Sequence, residues 1–441
     1  MSETDEEDEI ASPLRRFLAL ERDVLVLSVA MFCFSLGFQM TSRYVPRYLS
    51  VLGAGSVVIG WYGSFGNFVS AVYPYPGGAL SDRVGSRRSL TLFGALSSLG
   101  FLVWMLPAFV GDLRLPSPFA EFAVPAWTWV FVGLFLAQAW KSLGLGATFA
   151  VVKQSAGRGQ LATGFASTET FRRLAFLVGP LLAAVVLAVF VEFSEGFAVI
   201  LGVAFIFGIV ATVAQHFLYT EDTSVGKSFE SVSSIVEDLR SLPPELRPLL
   251  VADTLVRFAN GAVYVFFVIV VTELYDIGAT VPVLGWTLSP DAYFGVLLSV
   301  EMVVALLVMA PSARIADSYG LKPVVAVGFA VYAVFPVMLI AVPEPVGASA
   351  LVMLVLFAFS GLRFAGLPAH KALIVGPAEE KTGGRVTGAY YLVRNVVVIP
   401  SAALGGWLYG ISPTLAFAGA SVVGIVGVVY FVIFGKEFEG Q

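Results

Sequence analysis

Nine charged residues stand inside stretches that are otherwise apolar: Lys141, Arg172, Arg173, Arg257, Arg363 and Arg394 against Glu169, Asp253 and Glu301. A charge at the centre of an apolar helix costs at least about 2.5–3.5 kcal/mol, so such residues face a partner or a water-filled cavity. Glu169 precedes Arg172 and Arg173 by three and four residues, and Asp253 precedes Arg257 by four, spacings that put each group on one helix face. Three or four cations are left without a partner on their own helix. Converging guanidinium and ammonium groups bind carboxylates, phosphates and similar anions. The expectation is that Lys141, Arg172, Arg363 and Arg394 meet at a cavity. Two stripes at helical spacing extend the set: Tyr390, Tyr391, Arg394 and Asn395, and Arg257, Asn260, Gly261 and Tyr264. The competing reading is structural: the same arginines bond backbone carbonyls or Glu301 across a bundle, and the aromatic residues pack.

A carboxyl group that changes protonation between two states moves protons. Glu169 and Glu301 are the candidates. Glu301 has no basic residue within four positions, so either it takes up a proton in one state or it is fixed to Arg257 or Arg363. His370, seven residues after Arg363, shares its face, and a lone histidine there is more often structural.

The elements that position these groups follow from composition. Of 441 residues 58% are hydrophobic and 13% charged, with a mean hydropathy of +0.86, far too apolar for a soluble globular protein. Several runs exceed the roughly 20 residues an α-helix needs to cross hydrocarbon, and their continuous apolarity excludes the alternation of barrel strands. The reading is an all-α membrane protein with spans at 24–49, 57–80, 89–110, 126–152, 161–191 and 196–219, then at 248–274, 292–313, 323–342, 348–375, 384–409 and 413–434. That gives two six-helix halves, 24–219 and 248–434, an acidic tail 1–23, a polar linker 220–247 and a short tail 435–441. Lys and Arg cluster in the loops on the terminal side, among them Arg83, Arg87, Arg88, Lys153, Arg158, Lys227, Arg247, Arg314, Lys322 and Arg385. Such an excess marks the cytoplasm. A cytoplasmic membrane protein with both termini cytoplasmic is expected, with Arg43, Arg47 and Arg114 as exceptions on the opposite side. The single cysteine, Cys33, cannot form an intrachain disulfide.

The halves are related. Gly60 and Asp82 fall on Gly295 and Asp317 at an offset of 235, and Lys141, Gly144 and Arg172 fall on Arg363, Gly366 and Arg394 at an offset of 222. Internal repeats of this kind are typical of transporters, whose sites lie near the bilayer midplane. Gly60, Gly63, Ser64, Gly66 and Asn67 let the second span approach a neighbour closely.

Residues 78–88, GALSDRVGSRR, read G-x-L-x-D-R-x-G-x-R-R and resemble the loop between the second and third helices of the major facilitator superfamily. The second copy keeps Asp317 but lacks the following arginine. Gly179-Pro180 resembles the family's antiporter signature with Ala183 and Ala184 in place of its glycines, and Lys141 before Gly144 resembles its basic residue on the fourth helix. The chain is identified as similar to prokaryotic and archaeal members of unassigned substrate. The resemblance implies twelve transmembrane helices in two pseudo-symmetric halves, rocker-switch alternating access, and a gating role for Gly78, Asp82, Arg83, Gly85, Arg87, Arg88 and Asp317.

The function expected is secondary active transport of a small solute, an organic or phosphorylated anion, with a proton or other coupling ion. The alternative is a proton-coupled exporter of lipophilic compounds, for which Glu169 and Glu301 would supply the acidic group. An intramembrane enzyme and a non-transporting sensor are remote. The chain carries no H-E-x-x-H, G-x-S-x-G elbow or P-loop and only two histidines, His216 and His370. No cofactor, metal or nucleic-acid partner is expected, and a monomer in the lipid bilayer is.

Overall fold

The computed structural model describes residues 22–115, 122–144, 147–148, 151, 161–219, 243–281, 286–342, 349–376 and 383–437. The acidic tail, most of the polar linker and the polar turns after the fourth and tenth spans lie outside them. The helices are α1 (Arg22–Thr41), α2 (Val45–Val51), α3 (Ser56–Val72), α4 (Pro74–Val84), α5 (Ser86–Val110), α6 (Thr128–Ala137), α7 (Leu161–Val189), α8 (Phe193–Leu218), α9 (Arg247–Val263), α10 (Pro290–Tyr319), α11 (Leu321–Ala341), α12 (Ala350–Gly361), α13 (Leu367–Val375), α14 (Gly383–Val398), α15 (Ser401–Ile411) and α16 (Pro413–Phe434). Among the described residues, ten stretches are long and apolar enough to cross a membrane. The second span, α3 with α4, and the fourth, which begins with α6, complete the twelve.

Proline and glycine decide where spans break. Pro74 has no amide proton to return to the preceding turn, and the second span divides at Tyr73 rather than running straight from 57 to 80. The fourth span passes from α6 into a π turn, Ala139–Leu143, in which the Gly144 N–H reaches back to the Ala139 carbonyl at 3.3 Å. Its repeat partner, the tenth span, breaks at the matching place in a 3-10 turn, Leu362–Phe364, between α12 and α13. Both breaks carry a basic residue, Lys141 and Arg363. After α9 the seventh span continues through a 3-10 turn, Tyr264–Phe266, and closes in a second π turn, Val270–Leu274. Two short antiparallel hairpins interrupt the helices: β1 (Leu113–Leu115) with β2 (Phe122–Val124), and β3 (Ala279–Val281) with β4 (Trp286–Leu288).

Packing divides the chain into two compact units that do not coincide with the halves of the sequence. The first comprises 1–42, 72–179 and 198–229, and the second 43–71, 180–197 and 230–441. In the first, α5 and α6 lie close enough that a Cβ on Gly100 would collide with the Ala137 backbone, and the Trp104 indole donates to the Val130 carbonyl at 2.8 Å. In the second, a core of Leu249, Ala252, Val256, Val325, Phe329, Tyr390 and Phe431 joins α9, α11, α14 and α16.

Candidate functional site

The second unit holds a cavity of about 270 Å³ whose lining contains the whole of one sequence stripe and, of the other, Arg394 and Asn395 but not the tyrosines. The seventh span supplies Arg257, Asn260, Gly261 and Tyr264, one face at helical spacing. Helix α14 supplies Arg394, Asn395 and Val398, and α3 adds Gly63 and Asn67. Beneath it, Asp253 is fully buried. Its Oδ1 accepts from Arg257 Nε at 3.3 Å, and its Oδ2 accepts from Tyr390 Oη at 3.1 Å and Arg394 Nη1 at 3.2 Å. His370 Nε2 lies 3.2 Å from the same Oδ2. Arg257 also donates to Tyr332 Oη at 3.0 Å, and Arg394 donates twice to Asn395 Oδ1, at 3.2 and 3.0 Å. Asn395 is thereby left its amide N–H groups to offer. Tyr390 is wholly buried and stands behind the cavity on Asp253 rather than in its lining.

Arg363, at 4% exposure, forms a buried ion pair with Glu301, which also accepts from Ser360 Oγ at 3.1 Å. Of the arrangements open to Glu301, the structure holds the bond to Arg363. The Arg363 guanidinium lies over the rings of Tyr332 and Phe364, 5.1 and 5.0 Å from their centroids. Arg43, set aside in the sequence as an exception of topology, lies over Tyr264 at 4.1 Å. Among the described groups of this unit, Arg43, Arg257, Arg363 and Arg394 thus face two carboxylates, Asp253 and Glu301, an excess of two positive charges.

Lys141 and Arg172 come together in the first unit instead. They line a cavity of about 80 Å³ with Met31, Phe34, Phe38, Trp140 and Phe176. Lys141 Nζ stands 4.4 Å from the Phe38 centroid and Arg172 Cζ 5.6 Å from that of Phe176, cation–π distances. Arg173 is half-buried beside Arg172. Glu169 lies in α7, and its side chain is outside the described ones.

In the loop motif, Gly85 takes φ of 90° as the link between α4 and α5, and Gly320, its repeat partner, takes 93° between α10 and α11. Both are conformations that side chains disfavour. Gly78 and Asp82 are half-buried, Arg83, Arg88 and Asp317 exposed. Arg87 Nε donates to the His216 carbonyl at 2.7 Å. Two further contacts join residues that linear spacing does not relate. Glu437 accepts from the N–H groups of Leu321 and Lys322 at 2.7 and 2.8 Å, and Arg47 reaches Glu273 at 2.7 Å and Asp291 at 3.2 Å.

The Major Facilitator Superfamily model matches residues 2–117 and 249–439. This chain belongs to that superfamily. It is 20% identical over 415 residues to an uncharacterized MFS-type transporter, MJ1317, of Methanocaldococcus jannaschii, covering 92% of this chain and 93% of the relative. Its fold is that of solved transporters. A POT family transporter in complex with 5-aminolevulinic acid superposes with a TM-score of 0.71 at 15% identity over 94% of this chain and 96% of that one. The nucleoside transporter NupG does so with 0.70 at 12% identity over 95% and 99%. The superfamily member is therefore a multi-pass membrane transporter, a secondary transporter and not an enzyme.

Proposed function

We propose that this transporter carries a small organic or phosphorylated anion across the cytoplasmic membrane by alternating access, with both termini cytoplasmic. The observation that carries the reading is the pair Arg257 and Arg394, which line one cavity with three carboxamides while sharing a single buried carboxylate. An anionic group entering there completes the charge balance that Asp253 leaves short, and Asn67, Asn260 and Asn395 supply directional hydrogen bonds. Lys141 and Arg172, beside aromatic rings, suit the same class of solute. A proton is the coupling ion in this reading. Glu301 would have to release Arg363 to accept it, and Glu169 is the second carboxyl on offer. Asp82, Gly85 and the neighbouring arginines act as the gating loop, with Asp317 as its weaker counterpart.

The test is uptake into proteoliposomes of labelled organic anions and lipophilic cations, with and without an imposed pH gradient, for the wild type and the Arg257→Gln, Arg394→Gln and Arg172→Ala variants. Anion uptake lost in the first two variants supports the reading. Uptake of cations at wild-type rates in all three rejects it in favour of the exporter, which the aromatic lining of the first unit's cavity favours.

A further inference from the structure

Arg363 brings more donors into the second unit than its partner uses. One end of the guanidinium meets Glu301, whereas Nε and Nη1 have no hydrogen-bond partner among the described residues. A buried donor left unpaired costs about 1–3 kcal/mol, and more when charged. Arg363 lines a second cavity of this unit, of about 10 Å³, walled by Gly328 and Phe329 of α11 and by Gly366. The side chains there that carry hydrogen-bonding atoms are Arg257, Tyr332, Arg363 and His370.

Size and chemistry together select the ligand. The space is small and suits a water or a single monatomic ion. The polar side chains of the walls are mainly donors: two guanidinium groups, the Tyr332 hydroxyl, whose oxygen already accepts from Arg257 and whose proton is left to give, and the His370 imidazole, which turns Nε2 to Asp253 and offers its other nitrogen as a donor when the ring is protonated. Asp253 and Glu301 are engaged by Arg257, Arg394, Tyr390, His370, Arg363 and Ser360 and do not line the cavity. Water needs acceptors for its own two protons, whereas a monatomic anion needs only donors. Such an ion also offsets one of the two excess positive charges, which an apolar interior penalises.

We propose that this cavity binds a monatomic anion, chloride, held by Arg363 between Arg257 and His370. Because Arg257 lines both cavities, chloride in the smaller one lowers the positive potential in the larger. The site stands apart from the assignment of a transported anion and can be tested without transport. The full-length protein, purified in detergent, is titrated with radioactive chloride by scintillation proximity, and its thermal unfolding is followed as chloride replaces gluconate at constant ionic strength. Saturable one-to-one binding and a rising unfolding midpoint are expected, with bromide substituting and sulfate not. His370→Phe keeps a ring and removes a donor, so chloride should bind at least about tenfold more weakly. The double variant Arg363→Gln with Glu301→Gln removes the ion pair as a unit and should abolish binding. Absence of saturable binding in the wild type overturns the proposal, and so does unchanged affinity in whichever variants fold.

Discussion

Gly60 and Gly295, 235 residues apart, make the same contact in the second unit. A Cβ on Gly60 would stand 2.5 Å from the Ala402 carbonyl oxygen, and one on Gly295 2.5 Å from the Pro180 carbonyl oxygen. A second pair corresponds too, Gly406 at 2.8 Å and Ala184 at 2.9 Å, although Tyr44 Oη stands nearer to Gly295, at 2.6 Å; both pairs are 222 residues apart. The repeat read from the sequence is therefore a repeat of contacts, in which α3 leans on α15 exactly where its counterpart α10 leans on α7.

That contact leaves no room for a side chain. Gly60→Val and Gly295→Val are each expected to lower stability by about 1–3 kcal/mol, the range for overpacking, and to reduce transport in proteoliposomes. Gly66→Ala, where an added Cβ meets nothing within 4 Å, should do neither. Thermal unfolding of the three purified variants decides it, and wild-type stability in both valine variants would remove steric closeness as the reason for the glycines.

The helical membrane class, the repeat and the small-residue face of α3 were legible because each rests on local signals: run length, charge spacing and residue size. What was not legible is partnership across the bundle. Asp253 was visible only as a neighbour of Arg257 four residues on, since nothing in a linear spacing brings His370, Tyr390 and Arg394 to one carboxylate. Arg43 was read as a violation of loop charge, because hydropathy places a residue along the membrane normal but cannot tell which way it faces. Arg363 and Glu301, 62 residues apart, are paired with each other, one of the arrangements open to Glu301 in the sequence, but linear spacing could not choose it over Arg257 or over a free carboxyl.

Asp253 compensates more charge than any other buried side chain described here. Removing one member of a buried ionic cluster costs about 3–5 kcal/mol, because the remaining charges lose their counter-ion without regaining water. Asp253→Ala is expected to lose that much, and Asp253→Asn with Arg257→Gln to recover a large part of it. Denaturant unfolding of the purified variants gives the numbers. Equal losses in the single and double variants would mean that packing, not charge, is what Asp253 supplies.

The contact of Arg47 with Glu273 and Asp291 is half-exposed, with the Arg47 side chain 21% accessible. Pairs of this kind contribute about 0–1 kcal/mol and are screened by salt. Arg47→Gln should therefore change stability little, and less at 1 M than at 0.1 M salt. Its effect belongs to transport: α2 would separate more readily from α10 and the π turn that carries Glu273, so a cysteine placed at Ser50 should react faster with a water-soluble maleimide. An unchanged labelling rate would remove this ion pair from the gating machinery.

Glu437 closes the second copy of the loop motif in a way the first copy does not share among the described residues. Its carboxylate caps α11 through the Leu321 and Lys322 amides, where the helix dipole favours a negative charge. Gly320 leaves the space, since a Cβ there would stand 2.8 Å from the carboxylate oxygen. Glu437→Gln keeps the shape and removes the charge, so hydrogen exchange at Leu321 and Lys322 should quicken about three- to fivefold at low salt, the effect of about 0.6–1 kcal/mol. Gly320→Ala should do so more strongly, because it adds backbone strain at φ of 93° to the collision. If exchange at the two amides is the same in Glu437→Gln as in the wild type, hydrogen bonding rather than charge holds the cap, and the tail exerts no electrostatic hold on α11.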